Sequence, residues 1–135
     1  MNKIIFDTET AGLPNNWKAS EDDVNTWPRV VEIAWMVIDK YNNPISTKEF
    51  IIKPDNFFIP LEAANIHGIT TEKALSEGVD IIKVLAEFAE DLSESDLVIA
   101  HNIDFDFPVI NCEFKRIKMK NKLHRIERFC TMKST

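Results

Sequence analysis

The sequence predicts an α/β fold built on one mixed sheet, and three observations carry the prediction. An apolar run, Ile4-Ile5-Phe6, ends in two carboxylates on alternate residues, Asp7 and Glu9. A second apolar run, Leu97 to Ala100, ends in His101-Asn102, with Asp106 four residues on. Between them, short β-rich segments come first and a helix-period segment follows. A strand reached through a helix lies parallel to the earlier strand, whereas strands joined by turns pair antiparallel. The expected architecture is therefore an antiparallel three-strand meander plus parallel strands, flanked by helices.

Each element has its own signal. Residues 3–8 read as a fully buried strand. Residues 10–28 carry Gly12, Pro14, Asn15, Asn16, the acids Glu21 to Asp23, and Pro28. They form a long polar connection of the kind that is usually functional or mobile. Residues 30–38 read as a second strand, apolar on both faces except for Glu32. Tyr41-Asn42-Asn43-Pro44 is a turn, and residues 45–52 form the third strand. Thr70 or Thr71 caps a short helix through Ser76 that Gly78 ends. Ile81/Ile82, Leu85, Phe88/Ala89 and Leu92 then recur at helical spacing. Residues 96–100 form the fourth strand. A helix over about 104–119 buries Phe105, Val109, Ile110, Phe114 and Ile117, with Asp104 as its N-cap. A last strand is expected near 126–131.

Composition narrows the class. With 135 residues, 44% hydrophobic and 28% charged, the chain reads as one domain with a real core. No apolar stretch reaches the roughly 20 residues that span a bilayer, so no membrane association is expected. The start, Met-Asn-Lys and three apolar residues before Asp7, does not read as a signal peptide. Cys112 and Cys130 have no metal-ligand spacing and predict two core thiols in a reduced, cytoplasmic setting. The net charge of -6 is uneven: residues 115–135 hold eight Lys/Arg and one acid. That tract reads either as a solvated helix end and loop or as a phosphate-contacting strip.

The acids carry the chemistry. Asp7 and Glu9, two apart on a strand, point to the same side roughly 6–7 Å apart. A metal pair separated by roughly 3.5–4 Å fits that gap. Hard oxygen ligands select Mg²⁺ or Mn²⁺ over zinc. Asp106 falls in the first helical turn, where the helix dipole favours an acid. Its place between Phe105 and Phe107 makes an unpaired carboxylate costly and favours metal binding. Pro108 disfavours helical geometry at Phe107 and predicts a distorted first turn.

These residues also carry a family resemblance. Asp-Thr-Glu-Thr-x-Gly-Leu at 7–13 and His-Asn-x-x-Phe-Asp at 101–106 resemble the first two motifs of the DEDD exonuclease superfamily. Val30-Val31-Glu32-Ile33-Ala34 resembles its second strand, and Pro60-x-Glu62 with Ile66-His67-Gly68-Ile69-Thr70 its middle signature. The resemblance implies a ribonuclease H-like fold and two-metal, 3′→5′ removal of nucleoside 5′-monophosphates from DNA, of the proofreading type. It makes Asp7, Glu9 and Asp106 catalytic ligands of two Mg²⁺ or Mn²⁺ ions. It places Thr8, Thr10, Leu13 and His67 along the 3′-terminal nucleotide; a satisfied turn histidine is the plainer reading of His67. His101 and Asn102 join the candidate substrate set but are expected mainly to fix the strand end and helix start. The implied partners are a single-stranded or frayed 3′ end and a DNA polymerase subunit.

One departure stands out. The superfamily pattern has a fourth acid, often preceded five residues earlier by a histidine that activates water. His124 has Phe129, not an acid, at that spacing. The expectation is a single exonuclease domain over 1–135 that is C-terminally truncated, lacking the third motif and weakly active alone. The upstream motifs resemble the histidine branch. RNA 3′-end trimming and a non-catalytic nucleic-acid- or polymerase-binding module are the alternatives.

Overall fold

The computed structural model describes residues 1–132. Five strands form one sheet in the order β3-β2-β1-β4-β5. β1 (Asn2–Thr10), β2 (Val30–Ile38) and β3 (Pro44–Ile51) are the antiparallel meander. β4 (Ser95–Ala100) and β5 (Glu127–Cys130) add in parallel beside β1. Four helices intervene: α1 (Leu61–His67), α2 (Thr71–Glu77), α3 (Ile81–Ser93) and α4 (Ile103–Arg116). A 3-10 turn at Leu123–Arg125 leads into β5.

Alternation on the strands sets the layers. Ile4, Phe6, Ile33, Trp35, Val37 and Val98 face α3 and α4 in the main core. α3 contributes Val84, Leu85, Phe88 and Leu92, all at helical spacing, and α4 contributes Phe107, Ile110 and Phe114. Phe88 sits 5.0 Å from Trp35 and 5.6 Å from Phe6 between ring centroids, within the range where aromatic pairs attract. The opposite face is only half covered: Ile5 is exposed and Met36, Leu97 and Ile99 are partly buried. β1 is therefore buried on one face, not on both as its apolar run predicts. The run spans two faces, but helices cover only one of them.

A smaller core joins Val31 and Ile59 to Ala63 and Ala64 of α1 and Ala74 of α2. The sequence pattern predicts no helix at α1, which has no apolar stripe: Leu61 and Ile66 are exposed and its buried residues are alanines. Gly68 ends α1 at φ 78°, a left-handed conformation open to glycine. Gly78 is needed for a different reason. A Cβ there would sit 2.2 Å from the Ala74 carbonyl oxygen and 2.5 Å from the Lys53 nitrogen. The chain after α2 runs against Lys53, where Ile52 and Val79 form an isolated parallel bridge.

Two local expectations are corrected. The N-cap of α4 is Asn102, not Asp104, which lies inside the first turn. α4 also runs unbroken through Pro108, the only residue whose missing N–H the helix has to absorb.

Candidate active site

β1 is the central strand, and its C-terminal half brings Asp7, Thr8, Glu9 and Thr10 to one end of the sheet. Parallel β4 ends at the same side and hands the chain to α4, whose first turn carries Asp106. Acids about a hundred residues apart therefore meet at the carboxyl ends of adjacent parallel strands, where open α/β sheets place their sites.

Asp106 is the buried member, only 5% exposed. Its Oδ1 accepts from the Thr8 hydroxyl at 2.6 Å and from the Thr8 backbone N–H at 3.3 Å. No other protein donor reaches the carboxylate among the described residues. Burial pushes its pKa up to about 6, against the pull of the Thr8 hydrogen bond; the negative charges of Asp7 and Glu9 add to the rise. A carboxylate with one oxygen anchored and two acids nearby is a donor set suited to a hard divalent cation. Among the described residues, no three such side chains already close around one point.

Glu9 pairs across the strands with Glu32. Burial, then a hydrogen bond shared with Glu49, lifts Glu32 to about 7, and the Glu9 charge contributes. Glu32 thus finds its partner in another acid on β3, one strand away from the candidate site.

Beside these acids opens a cleft of about 490 Å³. Thr8 to Leu13 form one wall, α1 forms another through Glu62, Ala63 and Ile66, and Phe105 closes a third side. Of the substrate candidates, the cleft gathers Thr8, Thr10 and Leu13. The Thr8 hydroxyl is committed to Asp106, and that of Thr10 donates to the Gly12 carbonyl at 2.7 Å. Leu13, 72% exposed, offers the free apolar surface.

His67 lies outside the lining. Its Nδ1 accepts from the Ile69 N–H and its Nε2 lies 3.1 Å from the Thr10 carbonyl oxygen. An accepting Nδ1 puts the proton on Nε2, which then donates to Thr10. The ring ties the end of α1 to the end of β1. His101 is also outside the cleft, with Nδ1 3.0 Å from the Thr131 hydroxyl. The Asn102 carbonyl accepts from Phe105 and Asp106, so that residue fixes the helix start. Of the remaining cleft walls, the sequence reading meets Glu62 and Ile66 only within the middle signature and Phe105 only as a buried helix residue, and gives none of them a place beside substrate.

The 10–28 connection is fastened along its second half. Asn111 donates to the Glu21 carbonyl at 2.7 Å, and Arg116 donates to the carbonyls of Val24 and Trp27 at 2.7 and 2.8 Å. Arg128 forms a forked ion pair with Glu21, and Lys115 pairs with Asp22. Fully buried Glu113 receives the Val30 N–H at 2.7 Å and ion-pairs with Arg29 and Arg116. Three cations of the basic tract, Lys115, Arg116 and Arg128, thus hold this connection in place.

A family model described as exonuclease, RNase_T, covers residues 4–135. The DNA polymerase III epsilon subunit of Buchnera aphidicola is 33% identical over 98% of this chain and 52% of its own length. The epsilon subunit of Treponema pallidum is 30% identical, over 90% of this chain and 50% of its own length. The PolC-type DNA polymerase III of Bacillus subtilis is 29% identical over 84% of this chain and 7% of its own length. The chain thus spans about half the length of the epsilon subunits it matches. Escherichia coli exonuclease I, solved with a dT13 oligonucleotide, superposes with a TM-score of 0.76 over 96% of this chain and 27% of that one, at 21% identity. That likeness is one of fold. The chain belongs to the RNase_T exonuclease family, within the DEDD superfamily and its ribonuclease H-like fold.

Proposed function

We infer that this chain is the metal-dependent 3′→5′ exonuclease domain of a proofreading-type enzyme, removing nucleoside 5′-monophosphates from single-stranded or frayed DNA ends. The observation that carries it is Asp106, buried and held by Thr8 near Asp7 and Glu9, next to a cleft that Thr8 and Glu9 themselves line. Asp7, Glu9 and Asp106 would hold the two Mg²⁺ or Mn²⁺ ions. Bound there, the ions would supply a Lewis acid for the scissile phosphate and neutralise its charge.

The chain's own residues orient these acids and shape the cleft. The Thr8 hydroxyl orients Asp106 and favours its ionised form. His67 fixes the Thr10 carbonyl and so the wall of the cleft that Thr10 belongs to. Leu13 and Ile66 give the terminal nucleoside apolar surface, and α1 walls the cleft through Glu62, Ala63 and Ile66. The kinship to polymerase III epsilon subunits supports a polymerase subunit as partner, and two buried cysteines outside any disulfide support a cytoplasmic setting.

The test is a strand labelled on its 3′-terminal nucleotide, incubated with Mn²⁺, with the full-length Buchnera epsilon subunit run in parallel. Label should appear as mononucleotide, stop with chelator, and be lost in Asp7→Ala. A matched RNA strand separates DNA proofreading from RNA trimming. Label released only within oligonucleotides would overturn the reading. So would the absence of both release and Mn²⁺-dependent retention of thymidine 5′-monophosphate.

A further inference from the structure

The chain has three tryptophans, and the structure gives them different surroundings. Trp27 and Trp35 are 3% and 2% exposed and belong to the core. Trp17 is 52% exposed, on the connection between β1 and β2. Its ring is not loose. It lies 5.6 Å from the Phe105 ring, tilted by 42°, and 6.3 Å from Trp27 edge to face. Trp27 in turn packs at 6.4 Å on Phe105, and its Nε1 donates to the Ser20 carbonyl at 2.9 Å. The hydrogen bonds from Asn111 and Arg116 hold the connection's second half against α4. One face of a large indole is thus seated on a fixed aromatic pair while the rest meets solvent.

Its position gives the ring a use. Phe105 closes one side of the cleft that Glu9 and Leu13 also line, but Trp17 is not itself part of that lining. It stands beyond Phe105, outside the space that a terminal nucleotide would fill. We propose that Trp17, backed by Phe105 and Trp27, is a stacking platform for a base of the single strand upstream of the terminal nucleotide. Aromatic rings stack any base, because every base has a π-face, so the platform adds affinity without sequence choice. It also favours unpaired over paired ends, since a base within a duplex has its faces occupied. The proposal rests on the reading of the acid site as the place where the 3′ end docks.

The experiment uses this chain with Ca²⁺ replacing Mn²⁺, to hold off turnover. Binding of 5′-fluorescein dT8 is read by anisotropy, binding of thymidine 5′-monophosphate by calorimetry, and Trp emission is recorded with unlabelled dT8. Trp17→Ala should weaken dT8 binding by roughly tenfold and leave mononucleotide binding unchanged. Trp17→Phe should keep most of the affinity but lose the emission change that dT8 causes in the native protein. Making the upstream nucleotides of dT8 abasic should erase the difference between native protein and Trp17→Ala. Equal dT8 affinity in native protein and Trp17→Ala would overturn the proposal, as would equal weakening of mononucleotide and dT8. If the native protein bound neither ligand, the acid-site reading itself would fall, which is a different failure.

Discussion

Asp106 sets two opposing demands on one residue. Its carboxyl is buried beside two other acids, so in the absence of a cation the folded protein prefers it protonated, with a pKa of about 6 against an ordinary 3.8. A folded-state pKa raised in this way contributes stability fully below about 3.8, and that contribution is lost as pH rises through about 6. In chelator at pH 7.5, Asp106→Asn should therefore be more stable than the native protein, by on the order of 3 kcal/mol. Near pH 4 the two should match. Denaturant unfolding at both pH values checks this, and a less stable Asn variant at pH 7.5 would contradict it. Glu32 has the same sign, with a folded value of about 7 set by burial and by Glu49. Glu32→Gln should raise the unfolding midpoint at pH 8 and leave it unchanged near pH 4.5.

At the scale of elements, the junction of α4 with the start of β2 does more than pack. Glu113 on α4 is fully buried and satisfied by Arg29, Arg116 and the Val30 N–H. Removing one partner of a buried ion pair leaves the others uncompensated, which costs about 3–5 kcal/mol. Glu113→Ala should lose that much in denaturant unfolding, and it should also loosen the second half of the 10–28 connection, which Arg116 holds. Faster amide exchange at Val24 and Trp27 would report the second effect. Gly78→Ala tests a steric claim: its Cβ would meet backbone at 2.2 Å and 2.5 Å, and backbone yields less readily than a side-chain tip. Overpacking of this kind costs about 1–3 kcal/mol, whereas the lower unfolded-state entropy of alanine alone would favour it at this extended backbone position. A neutral or stabilising result would show that the α2–Lys53 approach is not as tight as described.

At the scale of the whole molecule, β1 is the middle strand of five, so the acids it carries sit on the most supported element of the sheet. The two apolar cores are complete without a cation. Chelation should therefore leave the far-ultraviolet circular dichroism unchanged and unfolding cooperative, with Mn²⁺ adding stability by mass action. Loss of structure in chelator would make the metal structural instead.

Much of this arrangement was legible in the sequence because its signals are local. Asp7 and Glu9 follow an apolar run, Ile81 to Leu92 keep a helical period, and Asn42 and Asn43 mark the β2–β3 turn. The short helix α1 was hidden because two exposed apolar residues and two buried alanines give no stripe. The second face of β1 was misread because an apolar run does not say how many helices will cover it. The distribution of work in the basic tract was also out of reach. Lys115, Arg116 and Arg128 are spoken for by carbonyls and acids 89 to 107 residues away, which only the fold brings together.

The central claim is that residues of β1 and α4 form one divalent-metal site. Mn²⁺ titration at pH 7.5, read by electron paramagnetic resonance, tests it most directly on the native chain, Asp7→Asn, Asp106→Asn and the remote control Asp96→Asn. The account predicts saturable binding that falls at least tenfold in the Asp7 and Asp106 variants and is unchanged in the Asp96 variant. Equal binding by all four proteins would contradict it.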